Sequence, residues 1–180
     1  MQLTHYLANQ ARELTPSFLG LYTDVYGVPP YVGDPFFSVE TYAGRLSGAM
    51  DTAGFEIVTA TEYGVLIGTG HGVTLPPTAA WWQTLLPSLP EEFLEAAEEG
   101  SIFWLRELMV REPYRNKGVG RALHDELSGG RAEDLVAMTV IVDNEPARSA
   151  YLRWGYEIIG QIRHAPESPL YDAMVRANKR

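Results

Sequence analysis

The run Arg115-Asn116-Lys117-Gly118-Val119-Gly120-Arg121 carries the clearest chemistry in this chain of 180 residues. It follows an apolar, strand-like stretch ending at Val110 and opens a stretch with helical spacing, so both glycines fall at a strand-to-helix turn. Glycine lets a ligand approach the backbone, and the first N–H groups of a helix have no partner within it. Such a turn binds phosphate. A negative charge at a helix N-terminus gains about 0.3 to 1 kcal/mol, and Arg115, Lys117 and Arg121 can add direct contacts to a diphosphate. Spacing excludes two rivals: no Gly-x-x-x-x-Gly-Lys-Ser/Thr loop is present, and Gly118-Val119-Gly120 lacks the third glycine of a dinucleotide fingerprint. Taken alone, the two glycines also fit an ordinary tight turn. Gly68, Gly70 and Gly72 lie inside a strand and read as a kink or a site of close backbone packing.

A second signal lies downstream, in Val142-Asp143-Asn144-Glu145-Pro146-Ala147 and the continuation through Tyr151 and Trp154 to Gly155 and Tyr156. Together with the Arg115-x-x-Gly118-x-Gly120 turn, it resembles the GNAT superfamily of acetyl-CoA-dependent N-acyltransferases. The resemblance is specific from about Ser101 to Tyr156 and consistent in element order along the whole chain. It implies that backbone N–H groups of the turn, Arg115, Asn116, Lys117, Gly118, Val119, Gly120 and Arg121, hold the CoA pyrophosphate. It implies also that the backbone of Met109 and Val110 pairs with the pantetheine amides. Tyr151 stands where the family has the acid that protonates the departing CoA thiolate, and Asn144 matches a family asparagine with a positioning task. The stretch from Pro76 to Gly100 departs from a minimal member and reads as an insertion.

Transfer to an amine needs a base, because an alkylamine of pKa about 10.4 is neutral in only about one molecule per two to three thousand at pH 7. Glu107 is the first candidate, since strand alternation sets it beside Phe103, Leu105 and Met109 on an apolar face that raises a carboxyl pKa. A glutamate that orders water or pairs with an arginine is the other reading. Tyr151 likewise has a structural alternative, because Ala147, Ala150, Tyr151 and Trp154 form a helical stripe that suits a core. The chain has no cysteine, so no thiol can relay an acyl group, and the simplest chemistry is direct attack of the amine on the thioester. His5, His71, His124 and His164 show no metal-ligand spacing and read as surface or hydrogen-bonded residues, His71 lying nearest the acceptor cleft. Trp81 and Trp82 read as packing within the insertion, or as an acceptor wall together with Tyr22, Tyr26 and Tyr31.

The elements that must position these groups form a strand-helix alternation. The spacing predicts a strand near Gln10 to Leu14, then a helix entered through Thr15 and Pro16 and stopped at Gly27. A helix follows Ser38 and runs through Tyr42, Leu46 and Met50 towards Gly54, and strands from Phe55 to Ala60 and Tyr63 to Leu75 join across Thr61 and Glu62. Beyond a helix from Glu91 to Glu98, a strand runs from Ser101 to Val110, a helix from Val119 to Leu127 and an apolar strand from Leu135 to Val142. A helix from Pro146 to Trp154 and strands around Tyr156 to Arg163 and Pro169 to Arg176 complete the order. The fold class is α/β: one GNAT-like domain over residues 1–180, with a mixed sheet of six or seven strands, helices on both faces and an insertion at about 76–100.

Composition narrows the partners. The net charge of -9 is uneven, with 2 basic and 12 acidic side chains in residues 1–100 against 12 and 11 in residues 101–180. No basic face offers itself to nucleic acid. With no apolar run near the roughly 20 residues that span a bilayer and no leader-like N-terminus, the expectation is a cytoplasmic protein without a membrane partner. The expected function is acetyl transfer from acetyl-CoA, as co-substrate and without a metal, to a primary amine of a small molecule or peptide, a small cationic amine being slightly favoured by the acidic half. A non-catalytic acyl-CoA sensor and a transferase for longer acyl chains are the alternatives. The sequence leaves the oligomeric state open, a homodimer included.

Overall fold

The computed structural model describes residues 1–85, 89 and 91–178. In chain order its elements are β1 (Gln2–Leu7), α1 (Ala8–Glu13), α2 (Thr15–Tyr26), α3 (Val39–Met50), β2 (Glu56–Glu62), β3 (Val65–Thr74), α4 (Ala80–Leu85) and α5 (Glu91–Glu98). They continue as β4 (Ile102–Val110), α6 (Val119–Gly129), β5 (Leu135–Ile141), α7 (Glu145–Arg153), β6 (Glu157–Ile162) and β7 (Tyr171–Ala177). The strands form one seven-stranded sheet in the order β1-β2-β3-β4-β5-β7-β6. The chain divides into two compact units, residues 1–73 with 105–130 and residues 74–104 with 131–180.

In the first unit, β1 pairs antiparallel with β2 and β2 antiparallel with β3. The hairpin turns at Tyr63 and Gly64, both at positive φ (50° and 78°), so the turn falls beyond the expected Thr61-Glu62 link. Two left-handed residues give the turn a twist that matches the strands, and glycine takes the second at no steric cost. The predicted strand near Gln10 is a helix instead. Gln10 to Glu13 are favourable helix residues, and the Gln10 side chain accepts the Leu7 N–H at 3.1 Å to start α1, while the strand lies upstream in β1.

Helix α2 begins one residue before its first-turn Pro16 and ends at the C-cap Gly27, burying Phe18, Leu21, Tyr22 and Val25 along one stripe. Helix α3 is capped by Ser38, whose hydroxyl accepts the Thr41 N–H at 3.1 Å, and it buries Tyr42, Leu46, Ala49 and Met50. These faces pack on the side of β3 that carries His71. Helix α6 covers the opposite side, where a Cβ at Gly68 would lie 2.8 Å from the Met109 carbonyl oxygen and 3.0 Å from Leu123 Cδ1. The strand glycines therefore mark close packing rather than a ligand loop.

In the second unit, β7 pairs antiparallel with both β5 and β6. The insertion contributes α4, which the sequence did not announce, and α5, whose limits match the expectation. Trp81 and Trp82 are buried in α4. Polar groups inside this unit are matched to one another. Arg131 pairs with the buried Glu133, which also accepts from the Thr74 hydroxyl at 2.8 Å. The buried Asp172 accepts from Arg148 at 2.6 Å and from Gln161 at 2.9 Å.

Candidate active site

Glu107 stands on the face of β4 that it shares with the buried Leu105 and Met109, as alternation along the strand requires. The Tyr26 hydroxyl, from the last turn of α2, donates to its Oε1 at 2.9 Å. Burial raises the Glu107 carboxyl above its ordinary range, while the Tyr26 hydrogen bond and the charges of Arg45 and Arg106 hold the rise in check. Burial and the neighbouring Glu107 charge push the Tyr26 phenol well up, so it remains a neutral donor to the carboxylate. Glu107 is thus a carboxyl that one phenol orients and whose proton affinity the apolar surroundings increase. That is what a base for an amine needs.

Aromatic rings surround this pair. Tyr22 stacks on Tyr26 with centroids 4.4 Å apart and on Tyr42 at 4.0 Å, while Tyr31 meets Tyr26 edge-on at 5.0 Å. Burial and then Glu107 push the Tyr22 hydroxyl up to about 12. Arg45, on α3, donates to the Phe36 carbonyl at 2.8 Å and to the Tyr22 hydroxyl at 3.2 Å. Behind the rings lies His71, which burial and then the charges of Arg106 and Arg45 lower to about 3, so it is neutral at physiological pH. Tyr22, Tyr26 and Tyr31 therefore gather beside Glu107. Trp81 and Trp82 belong to the second unit, where Trp81 packs edge-on against Trp82 at 5.6 Å.

The glycine turn belongs to the same unit as Glu107. Arg111 fastens its start, bonding the Leu66 carbonyl at 2.8 Å and pairing with Asp24. Asn116 and Gly118 take positive φ of 59° and 83°, which reverses the chain into α6. Among the described residues, no side chain caps the N-terminus of α6, and its first turn carries no acidic residue. The uncapped N–H groups suit an anion, and the residues present therefore fit the pyrophosphate of a CoA ester. Of the three cations expected to assist, Arg121 turns back along the helix to Asp125 at 2.5 Å. Arg115 bonds the Val110 carbonyl at 3.0 Å through Nε, and Lys117 lies 5.8 Å over the Tyr114 ring. Neither Arg115 nor Lys117 forms an ion pair among the described residues. Met109 is buried and Val110 half-buried immediately before the turn.

Asn144 and Tyr151 lie in the second unit. The Asn144 side chain caps α7, accepting the Ala147 N–H at 3.4 Å, so its visible task is to start that helix. Tyr151 is half-buried on α7, with its ring edge-on to Trp154 at 5.3 Å and to Tyr156 at 6.0 Å. Sequence reasoning missed Arg45 and Tyr42, because nothing local announces which helix residues will face a distant strand. Among the described residues no three His, Asp or Glu side chains gather as a metal site, and no helix is long and apolar enough to cross a membrane.

A profile of the acetyltransferase (GNAT) family matches residues 20–156. Solved structures with the same fold include the aminoglycoside 6′-acetyltransferase type Ii, 17% identical at a TM-score of 0.65 over 100% of this chain and 99% of that one. A ribosomal-protein-alanine N-acetyltransferase from Brucella melitensis is 17% identical, with a TM-score of 0.64 over 98% of this chain and 99% of its own. An acetyltransferase from Thermus thermophilus is 13% identical, with a TM-score of 0.65 over 98% of this chain and 97% of its own. At this identity these likenesses concern the fold alone. No curated protein sequence matches the chain.

Proposed function

The chain belongs to the acetyltransferase (GNAT) family and is by that membership an acyltransferase, and from that premise we propose that it moves an acetyl group from acetyl-CoA directly to a primary amine of a small molecule or peptide. The observation that carries the finer reading is the Glu107-Tyr26 pair, a buried carboxyl held by a phenol at 2.9 Å, on the strand that leads into an uncapped helix N-terminus. A base and an anion cradle on one strand-turn-helix are what amine acylation by a CoA ester requires.

Bound acetyl-CoA supplies the acetyl carbonyl already activated as a thioester. The turn from Arg115 to Arg121 binds the pyrophosphate through its N–H groups, with the free cationic ends of Arg115 and Lys117 beside it. Glu107 takes one proton from the acceptor ammonium, exposes the nitrogen lone pair and passes that proton to solvent, which returns the carboxylate. As the C–N bond forms and the C–S bond breaks, the nitrogen sheds its second proton to solvent through Glu107. The departing sulfur takes its proton from an acid that recovers one from water, the role that likeness to the family gives to Tyr151. The balance is one amide, one thiol and one proton released per turnover.

The direct test is thermal denaturation with acetyl-CoA, CoA or ATP, followed by thiol release with a panel of primary amines. Both CoA species should stabilise the protein by about 2.7 kcal/mol at a hundredfold excess over Kd, and ATP should not. Stabilisation by none of the three would remove the donor site from this reading. Stabilisation without thiol release from any amine would leave a binding module.

A further inference from the structure

Arg45 lies in a half-buried position beside the Glu107 pair and forms no ion pair among the described residues. Its guanidinium is held in place by neutral partners only, the Phe36 carbonyl at 2.8 Å and the Tyr22 hydroxyl at 3.2 Å, with the Phe36 ring 4.9 Å from its Cζ. A guanidinium has five N–H donors in a fixed fork, so two anchored contacts leave others to receive a ligand. Glu107 lies near enough for the two charges to act on each other but does not bond the guanidinium, so the remaining donors can meet a carboxylate from outside.

Three further polar side-chain atoms in this unit lack a partner although their residues are almost wholly buried: the hydroxyls of Tyr42 (residue 1% exposed) and Thr69 (0%), and Nδ1 of His71 (3%). Tyr42 precedes Arg45 by one turn of α3, which puts the two on the same helix face. Its ring stacks on Tyr22, the residue that accepts from Arg45, and lies 6.4 Å from the His71 ring. Tyr22 in turn stacks on Tyr26, which holds Glu107. One continuous group thus joins an unpaired cation and an unpaired phenol to the base.

Resting on the N-acetyltransferase reading above, we propose that the acceptor is a small amine that also carries a carboxylate, as an amino acid does, with Arg45 and the Tyr42 hydroxyl binding the carboxylate while Glu107 receives the proton of the ammonium. Both partners can donate, which matches a carboxylate, and the Arg45 charge repels a second ammonium. The acceptor is then anchored at one end and deprotonated at the other. A polyamine offers Arg45 nothing but like charge, and an aminoglycoside offers it ammonium groups and neutral hydroxyls but no carboxylate.

The test compares kcat/KM in the thiol-release assay for matched pairs of amines, each amino acid against its own carboxamide and its own decarboxylated amine. The carboxylate member should be preferred at least about tenfold, the discrimination expected when a charged hydrogen-bonding partner is lost. Arg45→Gln should lower kcat/KM for the carboxylate member at least about tenfold more than for its carboxamide, and Arg45→Lys should restore part of the preference. Tyr42→Phe, which keeps the ring stack, should weaken the same preference through KM. Equal use of both members, preference for the decarboxylated amine, or an equal loss for both members in Arg45→Gln would overturn the proposal while leaving N-acetylation intact. Thiol release with no amine in the panel would overturn it together with the reading on which it rests.

Discussion

Glu107 loses its proton above the ordinary carboxylate range, because burial raises its pKa and the Tyr26 bond and two arginines only moderate the rise. Activity should therefore fall on the acid side along a limb set by Glu107. Glu107→Gln should lower kcat by about a hundredfold to ten-thousandfold and abolish that limb in a kcat/KM profile. Tyr26→Phe removes a bond that favours the charged carboxylate, so its limb should move to higher pH with the fold intact by circular dichroism. A limb that stays in place would assign the titration to another group. Tyr151→Phe should reduce turnover far more than acetyl-CoA affinity measured calorimetrically, and equal turnover would sink its role as acid. At this scale Glu107 was legible in the sequence through strand alternation alone. Its phenol partner was not, since a hydrogen bond between residues 26 and 107 leaves no local signal.

Elements were legible where caps and periodicity are local. Pro16, Gly27 and Ser38 mark the limits of α2 and α3, and the apolar stripe of α6 gives its face. Helix α4 escaped because six residues show too little periodicity. β1 escaped because an edge strand with partly exposed residues offers no clear alternation. That edge is tied down by His5, which bonds Glu56 on β2 and Glu126 on α6, the latter at 2.9 Å. Burial works against the charged ring, but the hydrogen bonds to Glu126 and Glu56 prevail and raise its pKa. The stabilisation is fully present below the unfolded value of about 6.5 and is lost as pH rises through the higher folded value. In urea titrations, the parent should exceed His5→Gln in stability at pH 5.5, and the gap should close by pH 8.5. A gap that is constant with pH would make the tie a matter of packing. At the other end of the unit, Gly118→Ala meets no neighbour but forces an L-residue to φ 83°, so it should cost about 1 to 2 kcal/mol of stability and weaken acetyl-CoA binding.

For the whole molecule, the family match at residues 20–156 draws on segments of both units, and the seven strands belong to the fold that the motifs announced. The charge of the chain reads differently once Arg45 is placed. Ten excess negative charges in residues 1–100 suggest attraction of a cationic amine, yet in about 0.1 M salt such a field fades within about 10 Å. The half-buried Arg45 sits beside the base and is screened far less. An amino acid is a zwitterion with no net charge for the long-range field to act on, whereas its binding to Arg45 is short-ranged. Its KM should therefore change by less than about twofold between roughly 0.02 and 0.2 M salt. A polyamine drawn by the acidic half should show a KM that climbs severalfold over the same range. Steady-state thiol release at four salt concentrations separates the two. If the amino-acid KM itself climbs steeply, the carboxylate is being met by exposed cations such as Arg115 and Lys117, and Arg45 is not its partner.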